Sequence, residues 1–277
     1  MRMLAYTGLA LAAAYGSPLP LGAQDEHQFS FSSVAGNDLA WSCEGSGEPT
    51  ITLVAGGGLS AHDSFGRIYH SYDGPGRICM YDRAGIGEST FPEPHTRTLN
   101  DLVEELHVLS TNEHWGDLVL VAHSFGGFIA RAFADKYPHE VLGILLMDVA
   151  HEDWIPRLEA KMRPADWVIM EGILDWNTRT FHEDYIEAQE SVRGTKLADG
   201  LPVTVLSRGI PHTTIRLARM SYEGVDLYEA EHQALQARLP ELSSNSEHRV
   251  AKYASHVFND YDPWFVIEEI KLLVSRR

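Results

Sequence analysis

Ser124 lies in the run Val121-Ala122-His123-Ser124-Phe125-Gly126-Gly127, with a small residue two positions before it and another two positions after. The run joins an apolar stretch, Leu118 to Ala122, to a helix-spaced stretch, Phe125 to Tyr137. A serine on a sharp strand-to-helix turn has its hydroxyl exposed for attack, and bulky flanking residues would collide with the strand and helix that it joins. The same serine could instead simply cap the helix. To act as a nucleophile near neutral pH it needs an imidazole to take its proton and a carboxylate to orient that imidazole. Fourteen histidines are present, so the elements that carry them have to decide between them.

Phe29 to Ser33 and Asp38 to Cys43 alternate around Gly36-Asn37-Asp38 and predict an opening hairpin. Ile51 to Ala55 and Arg77 to Tyr81 are continuous apolar runs ending in glycine-containing turns, as in buried parallel strands. Leu99, Leu102, Val103, Leu106 and Leu109 follow helical spacing, and Val141 to Met147 is a further strand. The stretch from His151 to Gly200 carries helical patterns and reads as an inserted cap. Strand Val203 to Ser207, a helix around Leu227 to Leu239, a strand near Arg249 to Tyr253 and an amphipathic helix from Pro263 to Val274 complete the core. The alternation predicts an α/β fold with a mostly parallel sheet, helices on both faces and a small helical cap after the sixth strand. The boundaries are 24–150 and 201–277 for the two parts of the core and 151–200 for the cap.

With Leu53-Val54-Ala55-Gly56-Gly57-Gly58 and Tyr81-Asp82-Arg83-Ala84-Gly85-Ile86-Gly87-Glu88-Ser89 upstream of the serine motif, the chain resembles the α/β-hydrolase superfamily along essentially its whole mature length. The serine motif is then that family's nucleophile elbow, with Ala122 in place of its first glycine. The resemblance implies an oxyanion hole formed by the backbone N–H groups of Gly57 and Phe125, with Gly58 as a substitute if the loop is shifted by one residue. Ala55 stands where the family often has a histidine that steadies this loop. Asp82 and Arg83 are expected to be structural, holding their own loop. Relatives that act on haloalkanes or epoxides use an aspartate at the elbow, which this chain lacks.

The family places its base between the last strand and the last helix, which selects His256 in Ala254-Ser255-His256-Val257-Phe258. His248 and His232 are expected to be solvated surface residues, and His123 to shape the elbow. The family's acid follows one of two strands. After Val203 to Ser207 comes Arg208-Gly209-Ile210-Pro211-His212, with no acidic residue before Glu223 and Asp226. After the preceding strand stands Asp148, at the C-terminal edge on which open α/β sheets assemble sites. Asp148 is therefore the expected acid, with Asp226 and then Asp153 as alternatives.

Lys and Arg number 22 against 39 Asp and Glu, a net charge of -17, which repels nucleic acid and anionic lipid. Met1-Arg2, the apolar run Met3 to Tyr15 and the small residues at Gly22-Ala23 have the layout of a signal peptide, residues 1–23, and predict a secreted or periplasmic protein. The apolar run is too short for a comfortable membrane span, so no stable membrane insertion is expected. The family's sheet order puts the strands of Cys43 and Cys79 side by side, which makes a disulfide reasonable in an exported protein. Cap residues Trp154, Trp167 and Trp176 could line a substrate pocket or form the cap's own core. The expected function is a serine hydrolase that cleaves a small, largely apolar ester or lactone through an acyl-enzyme, with no cofactor and no metal. The same triad would serve an amidase, thioesterase, acyltransferase or cofactor-free C–C hydrolase, and the scaffold alone would serve a non-catalytic binding protein.

Overall fold

The computed structural model describes residues 29–212 and 219–276. The expected signal peptide lies outside the described residues. Eight strands form one sheet: β1 (Ser30–Val34), β2 (Asn37–Gly45), β3 (Thr50–Val54), β4 (Arg77–Tyr81), β5 (Leu118–His123), β6 (Val141–Met147), β7 (Val203–Arg208) and β8 (Ser246–Ala251). Their spatial order is β1-β2-β4-β3-β5-β6-β7-β8. The β1–β2 and β2–β4 pairs are antiparallel and the remaining pairs parallel. Strands β3 and β5 are buried at every residue, as strands covered on both faces must be.

One face is covered by α2 (Leu99–Asn112) and α3 (Gly126–Lys136), the other by α1 (Ala61–Ser71) and, at the end of the chain, α8 (Phe258–Tyr261) and α9 (Pro263–Ser275). Local chemistry sets several helix starts. Ser60 caps α1, Thr98 and Asp101 form a capping box on α2, and Pro263 opens α9 behind the Asp262 cap. Cys43 and Cys79 face each other across β2 and β4 and form a disulfide.

Between β6 and β7 lie α4 (Trp154–Lys161), α5 (Pro164–Phe181) and α6 (Tyr185–Ser191), and α7 (Tyr222–Gln236) follows β7. Packing divides these helices differently from the sequence boundaries at 151 and 200. Ala188 and Val192, on and just after α6, belong to the main core, whereas Val225 and Tyr228 of α7 join Ile155, Leu158, Met162, Met170 and Leu174 in a separate cluster. Among the described residues no helix is long and apolar enough to cross a membrane.

Candidate active site

Ser124 occupies the turn between β5 and α3 with φ +51°, a left-handed conformation that costs a serine on the order of 1–3 kcal/mol. The turn is held by the Ser124 N–H, which donates to Met147 O at 3.0 Å, and by the Gly127 N–H, which donates to Ser124 O at 3.1 Å. Glycine is required two residues on, because a Cβ at Gly126 would lie 2.4 Å from Val54 O and 2.7 Å from Ala55 O.

His256 sits in the loop between β8 and α8. Its Nδ1–H donates to Asp148 Oδ2 at 2.7 Å, which leaves Nε2 to accept from Ser124 Oγ at 3.0 Å. The buried His123 Nε2–H donates to His256 O at 2.9 Å and so fixes the loop from below the elbow. Asp148 follows β6, fully buried, with φ +48° and its own N–H bonded to Leu206 O at 2.7 Å. The three residues chosen from sequence are thus in hydrogen-bonding sequence. The alternatives lie elsewhere: Asp226 is exposed, and Asp153 is paired with Arg193 and Arg238.

One expectation is corrected. His232 is not a solvated surface residue. It is 5% exposed, and its Nε2 contacts Asp148 Oδ1 at 2.9 Å. Arg208, the last residue of β7, turns its buried guanidinium onto Asp148 Oδ2 and its backbone N–H toward Oδ1 at 3.3 Å. Asp148 therefore accepts from four donors. Burial alone would raise its pKa, but the His232 and His256 hydrogen bonds and the Arg208 charge outweigh burial and hold it well below the usual carboxylate range. His248 is exposed on β8, as expected, and contacts Ser207 Oγ.

Helix α7 supplies the outer support. Glu229 accepts from Arg208 Nη2 at 2.8 Å and from the His212 N–H at 2.7 Å. Gln233 donates to Arg208 O, and Gln236 donates to Val149 O. The His212 ring stacks on His256, with centroids 4.4 Å apart and planes at 21°. Burial lowers the pKa of His232, and burial together with neighbouring His256 lowers His123 to about 3 and His212 to about 2. The neutral form is thus favoured in the three imidazoles that surround His256.

The loop from Ala55 to Gly58 is clamped from behind. Arg83 Nη1 and Nη2 donate to Ala55 O and Gly56 O, each at 2.8 Å, and its Nε donates to the buried Glu183. This guanidinium does the steadying that Ala55 cannot. Glu183 in turn accepts the Gly58 N–H at 3.3 Å, so Gly58 is engaged, while the Gly57 and Phe125 N–H groups donate to no other described residue. Gly57 lies against Phe125, whose Cβ would be 3.2 Å from a Cβ at Gly57. Asp82 accepts from the Ala61 and Glu88 N–H groups, in keeping with a structural part.

Trp154 packs edge-to-face on Tyr228, and both it and Trp167 lie against the cap cluster. Trp176 is 54% exposed and meets Phe181, whose ring lies against Gly58. Other aromatic groups stand closer to the Gly56-Gly57-Gly58 loop: Phe181 against Gly58, and Tyr185 against Gly57 and Phe125. Two clefts of about 220 and 550 Å³ open elsewhere, one around His151, Arg193 and Arg238 and one along α5, and neither is lined by Ser124, His256 or Asp148. Among the described residues no group of three or more His, Cys, Asp or Glu could hold a metal ion.

Residues 49–223 match the family described as the alpha/beta hydrolase fold. The chain belongs to the α/β-hydrolase family. Within reach of this family's spread, it is 28% identical to the uncharacterized protein YqjL of Bacillus subtilis (strain 168) over 230 residues, 80% of this chain and 82% of that one. Its fold is similar to that of alpha/beta hydrolase domain-containing protein 10 from mouse, with a TM-score of 0.63, 16% identity, and coverage of 90% of this chain and 99% of that one. It is similar as well to a thermophilic esterase from Thermogutta terrifontis, with a TM-score of 0.57, 19% identity, and coverage of 90% and 98%. Membership of the α/β-hydrolase family supports hydrolase activity.

Proposed function

We propose that the protein is a serine hydrolase that cleaves a small, uncharged, largely apolar carboxylic ester or lactone through an acyl-enzyme. The observation that carries this reading is the continuous chain from Ser124 Oγ to His256 Nε2 at 3.0 Å and from His256 Nδ1 to Asp148 Oδ2 at 2.7 Å, on a serine held at φ +51°.

In this reaction Ser124 Oγ attacks the ester carbonyl carbon as its proton passes to His256 Nε2. Asp148 keeps the imidazole in the tautomer that can accept and stabilises the imidazolium, while remaining ionised itself. The Gly57 and Phe125 N–H groups receive the oxyanion. His256 then returns the proton to the leaving alcohol. Water attacks the acyl-enzyme with the same imidazole as base, and Ser124 is regenerated. Two observations support the substrate class. Aromatic side chains crowd Gly57 and Gly58, which favours compact apolar groups, and the net charge of -17 disfavours anions. The Cys43–Cys79 disulfide supports action in an oxidising compartment.

The test is labelling with a fluorophosphonate, followed by turnover of p-nitrophenyl esters of increasing acyl length beside matched anilides. Labelling of the wild type and not of Ser124→Ala, with short esters turned over fastest, is expected. Equal labelling of both would refute Ser124 as the nucleophile, and anilides turned over faster than esters would refute the bond.

A further inference from the structure

The oxyanion loop has a neighbour that the proposed mechanism leaves unused. A Cβ built at Gly57 would lie 1.5 Å from Tyr185 Oη, so the phenol oxygen stands directly over the backbone of one oxyanion donor. The same ring lies on the ring of Phe125, the other donor, with centroids 4.5 Å apart and planes at 32°. Tyr185 thus spans both residues whose amides receive the developing charge. Its hydroxyl makes no hydrogen bond to another described residue, and the side chain is partly buried against the main core.

We propose that Tyr185 is a catalytic residue whose hydroxyl donates a third hydrogen bond to the oxyanion. This rests on the reading of Ser124 as nucleophile. A phenol can serve in this way only if it keeps its proton, and burial beside Glu183 pushes Tyr185 above its ordinary range. It must also be in place before the charge develops, since a donor that has to move loses much of its benefit. The chain preceding it meets that demand. Arg97 N–H donates to His182 O at 2.8 Å, and Asp184 N–H donates to Arg97 O at 3.2 Å. Glu183 is fixed by Arg83, and Asp184 caps α6 by accepting from the Ile186 and Glu187 N–H groups. The segment that pins the oxyanion loop is therefore the one that delivers the hydroxyl to it.

Tyr185→Phe keeps the ring on Phe125 and removes one oxygen. With a p-nitrophenyl ester, kcat is expected to fall by about 10²-fold, the scale for loss of one oxyanion donor, with KM nearly unchanged. Affinity for a trifluoromethyl ketone, which forms an oxyanion on Ser124, should fall by a similar factor, while a non-hydrolysable amide that mimics the ground state should bind as before. An unchanged melting temperature and full fluorophosphonate labelling at saturation would show that fold and nucleophile are intact. Wild-type kcat and ketone affinity in Tyr185→Phe, or a loss confined to KM, would overturn the proposal and leave Ser124 in its role. Labelling of Ser124→Ala would instead overturn the reading beneath it.

Discussion

Replacing Asp148 by Asn alters one atom and removes one charge at a point where four donors converge. His256 Nδ1 and Arg208 Nη1 face Oδ2, while His232 Nε2 and the Arg208 N–H face Oδ1. An amide offers acceptance on one side only. If its NH₂ faces His256, that ring must move its proton to Nε2, and Ser124 loses its base. If the NH₂ faces His232, the His232 tautomer can change instead and the His256 geometry survives, but the imidazolium formed during attack lacks its counter-charge. At an effective dielectric constant of 20 and about 4 Å between charges, that loss is about 4 kcal/mol, or about 10³-fold in kcat. Adding the tautomer penalty brings the expected drop to between about 10³ and 10⁴-fold. Stability should fall by about 3 kcal/mol, the low end for breaking a buried ion pair, because Arg208 retains Glu229 at 2.8 Å. Ester turnover at pH 8 and urea unfolding measure the two effects. A kcat within threefold of wild type would refute the reasoning, since some other carboxylate would then have to orient His256.

His256→Ala and His232→Ala remove imidazoles from opposite oxygens of one carboxylate, yet only His256 reaches Ser124. The first is expected to abolish measurable turnover. The second should cost no more than about tenfold, the loss of one hydrogen bond to a charged acceptor of about 1.5 kcal/mol, and comparable kinetics in the two variants would contradict the assignment. Acid should destabilise the fold through the buried His123 well before Asp148 is protonated. His123, 1% exposed, has its pKa lowered to about 3, so below the unfolded value of about 6.5 the unfolded chain binds a proton that the native state refuses. Stability contributed by the neutral ring is complete above pH 6.5 and declines as pH falls toward 3, by about 2 kcal/mol at pH 5 from this residue alone. The lowered Asp148 keeps its contribution until pH falls below about 4, so it takes no part in that window. Urea midpoints that are flat between pH 7.5 and 5 would contradict this.

Ser124 and Asp148 were legible because each sits at the end of a continuous apolar strand, and His256 because of its place between the last strand and the last helix. Ser124 follows β5, Asp148 follows β6 and His256 lies just beyond β8. The support behind Asp148 was not legible, because it lies on a helix whose one histidine, His232, has the sequence setting of a solvated surface residue. Glu229, His232, Gln233 and Gln236 recur at helical spacing, and each hydrogen-bonds to Asp148 or to backbone near it. A polar stripe at core-facing positions was the available signal. Arg208 was read only as the lack of an acid after β7, although a cation there is the natural partner of an acid moved one strand back. Helix α1 drew no reading, since Gly66 and several polar residues interrupt its buried face of Ala61, Phe65, Ile68 and Tyr69. The tryptophans attracted notice by size, but two of them pack in the cap cluster, and the rings nearest the oxyanion loop are Phe181 and Tyr185.

The anchorage of residues 182–188 bears on how such a protein can diversify. Helices α4 and α5 meet the rest of the molecule largely through their own apolar cluster, so their sequence and length can drift while the sheet and the elbow stay intact. The stretch that carries Glu183 and Tyr185 has no such freedom. It arrives in sequence as part of the insertion but is bonded to Arg83, Arg97 and Gly58 as part of the core. Recombination that exchanged the whole insertion would discard the support of the oxyanion loop, whereas exchange ending before His182 would transplant a new substrate enclosure and leave the chemistry in place.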